Sequence, residues 1–190
     1  MTADWRQFPT RTLPAGSSLH RIHRAGRAAD HYDTTDRHRF GAPPGSPRHG
    51  VCYVALEPIA AYVEVFGRIG TLGTAEIDSR RISEAVSARD LRLADLSHRS
   101  VLGRFGVTAA HSTGTDYAPS QALSGRLRDA GHDGIVYRAR HDPQMQLEAV
   151  AVFARQPAPL NWRDPQPIPN SLVQQGLRFG IQVLPTLTLE

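Results

Sequence analysis

A glutamate inside an otherwise apolar segment is the first candidate for chemistry in this sequence. Glu64 stands in the run AYVEVFGR, shortly after a proline that suits the first turn of a helix. The apolar residues of this segment recur at the three- and four-residue spacing of a helix: Ile59, Tyr62, Val63 and Phe66. Glu64 therefore lies beside the inward-packing face of a predicted helix, and we take its carboxylate as the candidate chemical centre.

Arginine supplies all of the basic side-chain charge. Lys and Arg together number 22, the formal net charge is +4, and the sequence contains no lysine. The missing lysine excludes Schiff-base chemistry and a P-loop. Guanidinium groups bind phosphate and carboxylate in a bidentate geometry, so the composition is compatible with a phosphate-bearing ligand. A compositional bias of the source genome is the alternative explanation for the missing lysine.

Several common kinds of site find no support in the sequence. The nine histidines show no HExxH or comparable spacing, which argues against a zinc site. Neither GxSxG nor GxGxxG occurs, so a serine nucleophile elbow and a Rossmann site are not indicated. Cys52 is the only cysteine, which excludes an internal disulfide, and its apolar surroundings predict a buried thiol. Basic residues form no run of five or more, which argues against nucleic acid.

The elements that must position the candidate residues follow from hydrophobic periodicity. We predict strands at 19–24, 51–56, 73–78, 91–96, 134–137 and 147–153. We predict a helix from Pro58 to Gly67 or Gly70, a short helix ending at Gly106 and a clear helix at 117–130. Residues 25–50 and 107–115 are predicted loops, 80–90 is ambiguous, and the last twenty residues are expected to add an edge strand.

The chain is predicted to form one domain with an extension at each end. Its 190 residues suffice for one hydrophobic core, and 40% hydrophobic with 21% charged residues is ordinary for a globular protein. Residues 1–18 are predicted to be an N-terminal arm and 156–190 a Pro-rich linker with a C-terminal segment. No run of about 18 apolar residues and no leader pattern occurs, so we expect a soluble, cytoplasmic protein without a membrane partner.

An ordered set of short runs connects these observations to a family. The runs are LHRIHR, RFGAPPG, GVCYVALEP, AYVEVFGR, DLS, DGIVYRARHDP and EAVAVF. Together they resemble the RES domain of bacterial toxin–antitoxin systems, over about residues 19–155. The resemblance implies an NAD-binding domain of the α+β class, with a mixed central β-sheet, flanking helices and a fold similar to that of ADP-ribosyltransferases.

The resemblance also implies roles for five positions. Arg21 matches the family arginine and Glu64 the family glutamate, which makes both catalytic candidates. Arg39 and Tyr53 match positions of the cofactor pocket. Ala139 is the third cofactor-binding candidate. It stands in the run YRA, where the family has Tyr-x-Ser, so the serine hydroxyl expected in this pocket is missing.

The family chemistry suits these residue types. Members of the family consume NAD as a substrate, cleaving the nicotinamide–ribose bond by hydrolysis or phosphorolysis, with no prosthetic group and no metal. A carboxylate can stabilise the oxocarbenium charge that develops on the ribose, and nicotinamide leaves as a neutral molecule without a general acid. Arg21 and Arg39 would bind the pyrophosphate or an incoming phosphate, and Tyr53 would stack on the nicotinamide ring.

The resemblance implies partners and leaves alternatives open. A toxin of this kind is neutralised by a separate antitoxin protein, which would block the mouth of the pocket. Transfer of ADP-ribose to a protein is one alternative activity. Because of Ala139, a catalytically impaired NAD-binding module is another, unless the fold brings Ser46 or Ser97 to the site.

Overall fold

The structure is a computed structural model and describes residues 3–46 and 49–185. Its strands are β1 (Thr10–Leu13), β2 (Ser18–Arg24), β3 (Val51–Ala55), β4 (Thr71–Gly73), β5 (Arg80–Ser87), β6 (Leu91–Asp95), β7 (Gly134–Arg138), β8 (Glu148–Phe153), β9 (Leu160–Trp162) and β10 (Gln182–Leu184). Its α-helices are α1 (Pro58–Phe66), α2 (Thr74–Asp78), α3 (Val101–Phe105), α4 (Ala110–Thr113), α5 (Ala118–Asp129) and α6 (Asn170–Gly176). Short 3₁₀ helices occur at Trp5–Gln7 and Leu177–Phe179.

Eight strands form one mixed sheet in the order β1-β6-β7-β8-β3-β2-β5-β9. Neighbouring strands are antiparallel except for the parallel pair β6 and β7. The interior strands β7 and β8 are apolar and buried along almost their whole length, which is the pattern of strands covered on both faces. The predicted α+β architecture, a mixed central sheet with flanking helices, is confirmed.

Side chains alternate across β8 and so divide the core. Ala151 and Phe153 pack in one apolar cluster with Leu127 of α5, whereas Val150 and Val152 pack in another. Helix α1 contacts β2, β3 and β8 and forms a third cluster with α6.

The sheet is open between β2 and β3. Strand β2 pairs with β5 over its whole length, from Ser18 opposite Val86 to Arg24 opposite Arg80. It pairs with β3 only where His20 lies opposite Ala55. Because the two strands share a single paired position, the side chains that follow His20 border a gap instead of a continuous ladder.

Residues 10–13 of the predicted N-terminal arm form a strand of the main sheet, which the sequence does not predict. Strand β1 pairs with β6, and the side chain of Phe8 is 2% exposed. The sequence signal was missed because the strand is short and its exposed and partly exposed positions alternate without a strong apolar face.

Three other local predictions are corrected by the structure. Residues 74–78 form helix α2 and not a strand, because a five-residue element is too short for its periodicity to decide. The ambiguous segment at 80–90 contains strand β5, which is next to the edge strand β9. The predicted loop at 107–115 contains the short helix α4. The remaining predicted elements are confirmed to within a few residues. The confirmed strands are those at 19–24, 51–56, 91–96, 134–137 and 147–153. The confirmed helices are the one that starts at Pro58, the one that ends at Gly106 and the one at 117–130.

The Pro-rich segment and the residues after it are packed on the domain. Strand β9 extends the main sheet by pairing with β5, and α6 packs on α1. The expected C-terminal edge strand is present as β10, but it pairs with β4 in a separate two-stranded sheet. Residues 186–189 of that expected strand lie outside the described residues.

Gly176 at the end of α6 tests whether this C-terminal packing contributes to stability. A Cβ added to Gly176 would lie 2.5 Å from Cε1 of Tyr62, whose side chain is fully buried in α1. We therefore expect Gly176→Ala to lower the free energy of unfolding by about 1–3 kcal/mol, measured by urea denaturation, because a packed core accommodates an added methyl group poorly.

Gly103 provides the matched control for this substitution. It lies in helix α3 with nothing within 4 Å of an added Cβ. Gly103→Ala should therefore leave stability unchanged or raise it by up to about 1 kcal/mol. Equal stability of Gly176→Ala and the native protein would contradict the packing of α6 against α1.

Candidate functional site

One large cavity lies between α1, the open side of β2 and the segment that contains α4. Its volume is about 950 Å³, towards the upper end of the roughly 300–1,000 Å³ common for ligand sites, so a dinucleotide-sized ligand fits. Tyr53, Tyr137 and Ala149 contribute to its walls from the central strands. The cavity brings together four of the five predicted site residues: Arg21, Arg39, Tyr53 and Glu64.

Glu64 faces this cavity from α1. Its Oε1 accepts a hydrogen bond of 2.9 Å from the backbone N–H of Arg140, in the turn that follows β7. Burial raises the pKa of the Glu64 carboxyl above its usual value, and the Arg140 N–H together with the charges of Arg39 and Arg140 partly offsets this effect. Glu64 is thus a desolvated carboxylate held in one orientation by a backbone group.

Arg39 reaches the same region from the long loop before β3. Its Nη1 donates to the carbonyl of Gly114 at 2.8 Å, and its guanidinium lies 4.9 Å from the ring centroid of Tyr117. The side chain is 8% exposed, and burial lowers the pKa of Arg39. Arg39 makes no ion pair with any carboxylate among residues 3–46 and 49–185. Its charge is therefore available to an anionic ligand.

The loop that carries Arg39 is fixed by buried polar contacts with α5. The Oγ of Ser124 donates to the carbonyl of Phe40 at 2.6 Å, and Nε2 of Gln121 donates to the carbonyls of Asp36 and His38. At Gly41 an added Cβ would lie 2.5 Å from the carbonyl oxygen of Thr35, which explains the need for glycine in the run RFG. The loop thus holds Arg39 in a defined position.

Arg21 occupies the gap between β2 and β3. Its Nη1 donates to the carbonyls of Ala29 and His31, both at 2.7 Å, and contacts Sγ of Cys52 at 3.0 Å. Cys52 is fully buried, as predicted, and burial raises the pKa of its thiol to about 11. Within the described part of the chain Arg21 also has no ion pair, so its guanidinium anchors the loop while it lines the cavity.

Two tyrosines line the cavity beside the charged groups. The hydroxyl of Tyr53 accepts a hydrogen bond of 2.8 Å from the N–H of Phe40, and burial raises the pKa of Tyr53. Burial likewise raises the pKa of Tyr137, and the nearby Glu64 charge adds to this effect. Both tyrosines are therefore neutral aromatic groups, suited to packing against a ring of a ligand.

Ala139 does not line the cavity, so its prediction as a cofactor-binding residue is not supported. Its side chain is fully buried in the apolar cluster around α1. Neither Ser46 nor Ser97 lines the cavity, but Ser112 of α4 does, and its side chain is 8% exposed. The sequence gives no signal for Ser112, because residues 107–115 show no periodicity and are predicted to be a loop.

The cavity is strongly positive. Seven arginines line it: Arg21, Arg24, Arg27, Arg39, Arg68, Arg80 and Arg140. Among these, Arg80 is the one that the described structure pairs with a carboxylate, that of Glu76 at 2.6 Å. The lining carboxylates are Glu64 and Asp33. Burial opposes ionisation of Asp33, but hydrogen bonds from Thr35 and the nearby histidines lower its pKa below the usual value. The cavity is built for an anionic ligand.

No group of histidine, cysteine and acidic residues that could hold a metal ion is found in the described ranges. In the same ranges no helix has the length and apolar character needed to cross a membrane.

Comparisons with known proteins agree on one family and one fold. A family model described as the RES domain matches residues 18–175. Three chains among solved structures match as well. One comes from the crystal structure of the M. tuberculosis MbcT–MbcA toxin–antitoxin complex, with a TM-score of 0.67 and 19% identity, over 86% of this chain and 90% of that chain. No curated protein matches the sequence. The structural likeness confirms the predicted ADP-ribosyltransferase-like fold.

The raised pKa of Glu64 predicts a pH-dependent stability. Because this pKa is higher in the folded than in the unfolded chain, the folded state binds more protons over the interval between the two pKa values, and native stability falls as pH rises through it. Glu64→Gln keeps an oxygen acceptor for the N–H of Arg140 but buries no charge. We expect the melting temperature of Glu64→Gln, relative to the native protein, to increase between about pH 4 and about pH 7.

Glu57, the exposed N-cap residue of α1, provides the control carboxylate. In differential scanning fluorimetry, the difference in melting temperature between Glu57→Gln and the native protein should not increase between about pH 4 and about pH 7. If the difference in melting temperature between Glu64→Gln and the native protein stays constant or decreases as pH rises, burial does not set the pKa of the Glu64 carboxyl.

Proposed function

This chain belongs to the RES domain family, and from that premise we propose that it is the toxin of a toxin–antitoxin system and degrades NAD by cleaving the nicotinamide–ribose bond. The observation that carries the proposal is the position of Glu64, a desolvated carboxylate at the wall of a cavity lined by seven arginines, six of which have no carboxylate partner in the described structure. Such a cavity suits a ligand that carries phosphates at one place and develops positive charge at another. NAD has this combination of properties.

The proposed reaction begins with heterolysis of the bond between the nicotinamide nitrogen and C1′ of the ribose. The electron pair leaves with nicotinamide, which departs as a neutral molecule, and the ribose gains oxocarbenium character. Ionised Glu64 stabilises this charge, and the fixed N–H of Arg140 orients the carboxylate without reorganisation during the reaction. An acceptor oxygen from water or phosphate then bonds to C1′ and loses its proton.

The other cavity residues position the substrate in this proposal. Arg39 and Arg21 bind the pyrophosphate, since both guanidinium groups are already held by backbone carbonyls and neither has a carboxylate partner in the described chain. Tyr53 packs on the nicotinamide ring, with Tyr137 beside it on the cavity wall. NAD is the substrate, and no prosthetic group takes part.

The first test follows nicotinamide release from NAD, with and without phosphate, by the native protein and by two variants. We expect Glu64→Gln to reduce the rate by roughly 100-fold or more, because the charge that stabilises the oxocarbenium ion is lost. The control Glu57→Gln removes an exposed carboxylate at the N-cap of the same helix, and we expect its rate to remain that of the native protein. Release that persists in Glu64→Gln would remove Glu64 from the mechanism.

Product analysis in the same assay separates the alternatives. Free ADP-ribose indicates hydrolysis, a phosphorylated ADP-ribose indicates phosphorolysis, and label on a protein of an added cell extract indicates ADP-ribosyl transfer. Ala139, which replaces the family serine, favours a second candidate, a module that binds NAD without turnover. That candidate requires NAD binding by calorimetry together with no nicotinamide release under any of these conditions.

We further propose that a separate antitoxin protein neutralises this chain by covering the mouth of the cavity. The motivating observation is that the exposed residues Arg24, Arg27 and Arg68 lie at the cavity, where an acidic or apolar partner segment could block entry. We expect the complex isolated from the source cells to release no nicotinamide and to protect backbone amides of residues 24–31 from hydrogen exchange. A complex that leaves Arg21, Arg39 and Glu64 open to solvent would contradict this mode of neutralisation.

A further inference from the structure

The arginines of the cavity fall into two groups. Arg39, Arg68 and Arg140 all act electrostatically on His141, and Arg39 and Arg140 also act on Glu64. Arg24 and Arg27 lie at the end of β2 and in the turn after it, three and six residues beyond Arg21 in the sequence. The cavity is therefore lined by one group of arginines near Glu64 and by a second group at the end of β2.

The second group lies on a tight turn with an arginine at each end. The N–H of Arg27 donates to the carbonyl of Arg24 at 3.1 Å, which closes a β-turn over residues 24–27. Gly26, the third residue of this turn, has a φ of 78°, as a type II β-turn requires at that position. The Cα atoms of the two arginines are therefore within about 7 Å of each other. Both side chains are exposed and line the cavity, and neither has an ion pair or hydrogen bond from its guanidinium to a described residue.

The charge of NAD is fully matched without this turn. NAD brings one pyrophosphate and a cationic nicotinamide ring, and Arg21 and Arg39 already provide the two guanidinium groups assigned to the pyrophosphate. Arg24 lies three residues beyond Arg21 on a strand, about 10 Å further along. If a dinucleotide with its pyrophosphate at Arg21 continues along β2 away from Glu64, its adenosine half lies at Arg24 and Arg27.

We propose that Arg24 and Arg27 form a phosphomonoester-binding subsite that makes the protein prefer a dinucleotide phosphorylated on its adenosine ribose, NADP, over NAD. The inference rests on the proposed function. Two guanidinium groups on one turn match the geometry and charge of a single phosphate. Free inorganic phosphate has the same chemistry, but a phosphate that attacks C1′ must lie beside Glu64, where the charges of Arg39 and Arg140 act.

Binding measurements test this subsite without depending on turnover. Titration calorimetry with the Glu64→Gln protein, which should not consume its ligand, compares NADP with NAD. We expect NADP to bind at least about tenfold more tightly, and we expect the ratio to fall to about one when Arg24→Gln and Arg27→Gln are added together. Arg178→Gln, an exposed arginine in the C-terminal 3₁₀ helix and outside the cavity, should keep the native ratio.

Each other outcome is decisive. Equal affinities for NADP and NAD, or a preference that survives the double substitution, would overturn the subsite. If NADP is preferred through this turn but neither nucleotide releases nicotinamide, the subsite stands and the proposed cleavage fails. If cleavage occurs without a preference for NADP, the cleavage stands and the subsite fails.

An experiment with inorganic phosphate shows whether the turn binds the phosphate of NADP or free phosphate. Any acceleration of NAD cleavage by phosphate in the otherwise native protein should persist in the Arg24→Gln and Arg27→Gln double variant. Loss of that acceleration with an unchanged NADP to NAD ratio would assign the turn to free phosphate and overturn the inference.

Discussion

The hydrogen bond from the backbone N–H of Arg140 to the carboxylate of Glu64 is the contact on which the site depends. It joins α1 to the turn after β7, two elements 76 positions apart in the sequence, and it is the hydrogen bond that the described structure gives this carboxylate. A carboxylate in partly apolar surroundings is costly to keep ionised, which is why the pKa of Glu64 is raised. This destabilising burial of a carboxylate occurs at the position where the proposed reaction needs a negative charge.

The arginines around Glu64 show the opposite condition. The guanidinium groups of Arg39 and Arg21 are held by backbone carbonyls instead of carboxylates, and that of Arg39 also lies over the ring of Tyr117. A guanidinium that is positioned but not neutralised loses little freedom when an anionic ligand arrives, since its hydrogen-bonding direction is already set. The loop between β2 and β3 can carry such a binding group because buried hydrogen bonds from Ser124 and Gln121 of α5 fix it.

The substitution at Ala139 illustrates what a motif alone conveys. The sequence places this alanine where the family has a serine, which led to the prediction that it borders the cofactor. In the structure it is fully buried against α1, next to the residue whose N–H binds Glu64. Its side chain therefore does not line the cavity, and Ser112, on a different element, does.

The sequence by itself determined the residue types and the main elements. The apolar runs of β7 and β8 and the spacing in α1 are local patterns, and they sufficed to predict these strands and the helix that bears Glu64. The ordered set of short runs pointed to the family and, through it, to the fold class. Only the tertiary structure decided which charges share a cavity. Arg140, Ser112 and Arg27 meet there through contacts between distant segments, and the opening comes from a single paired position between β2 and β3. Local periodicity carries no information on such contacts, because they depend on how the sheet closes and where it does not.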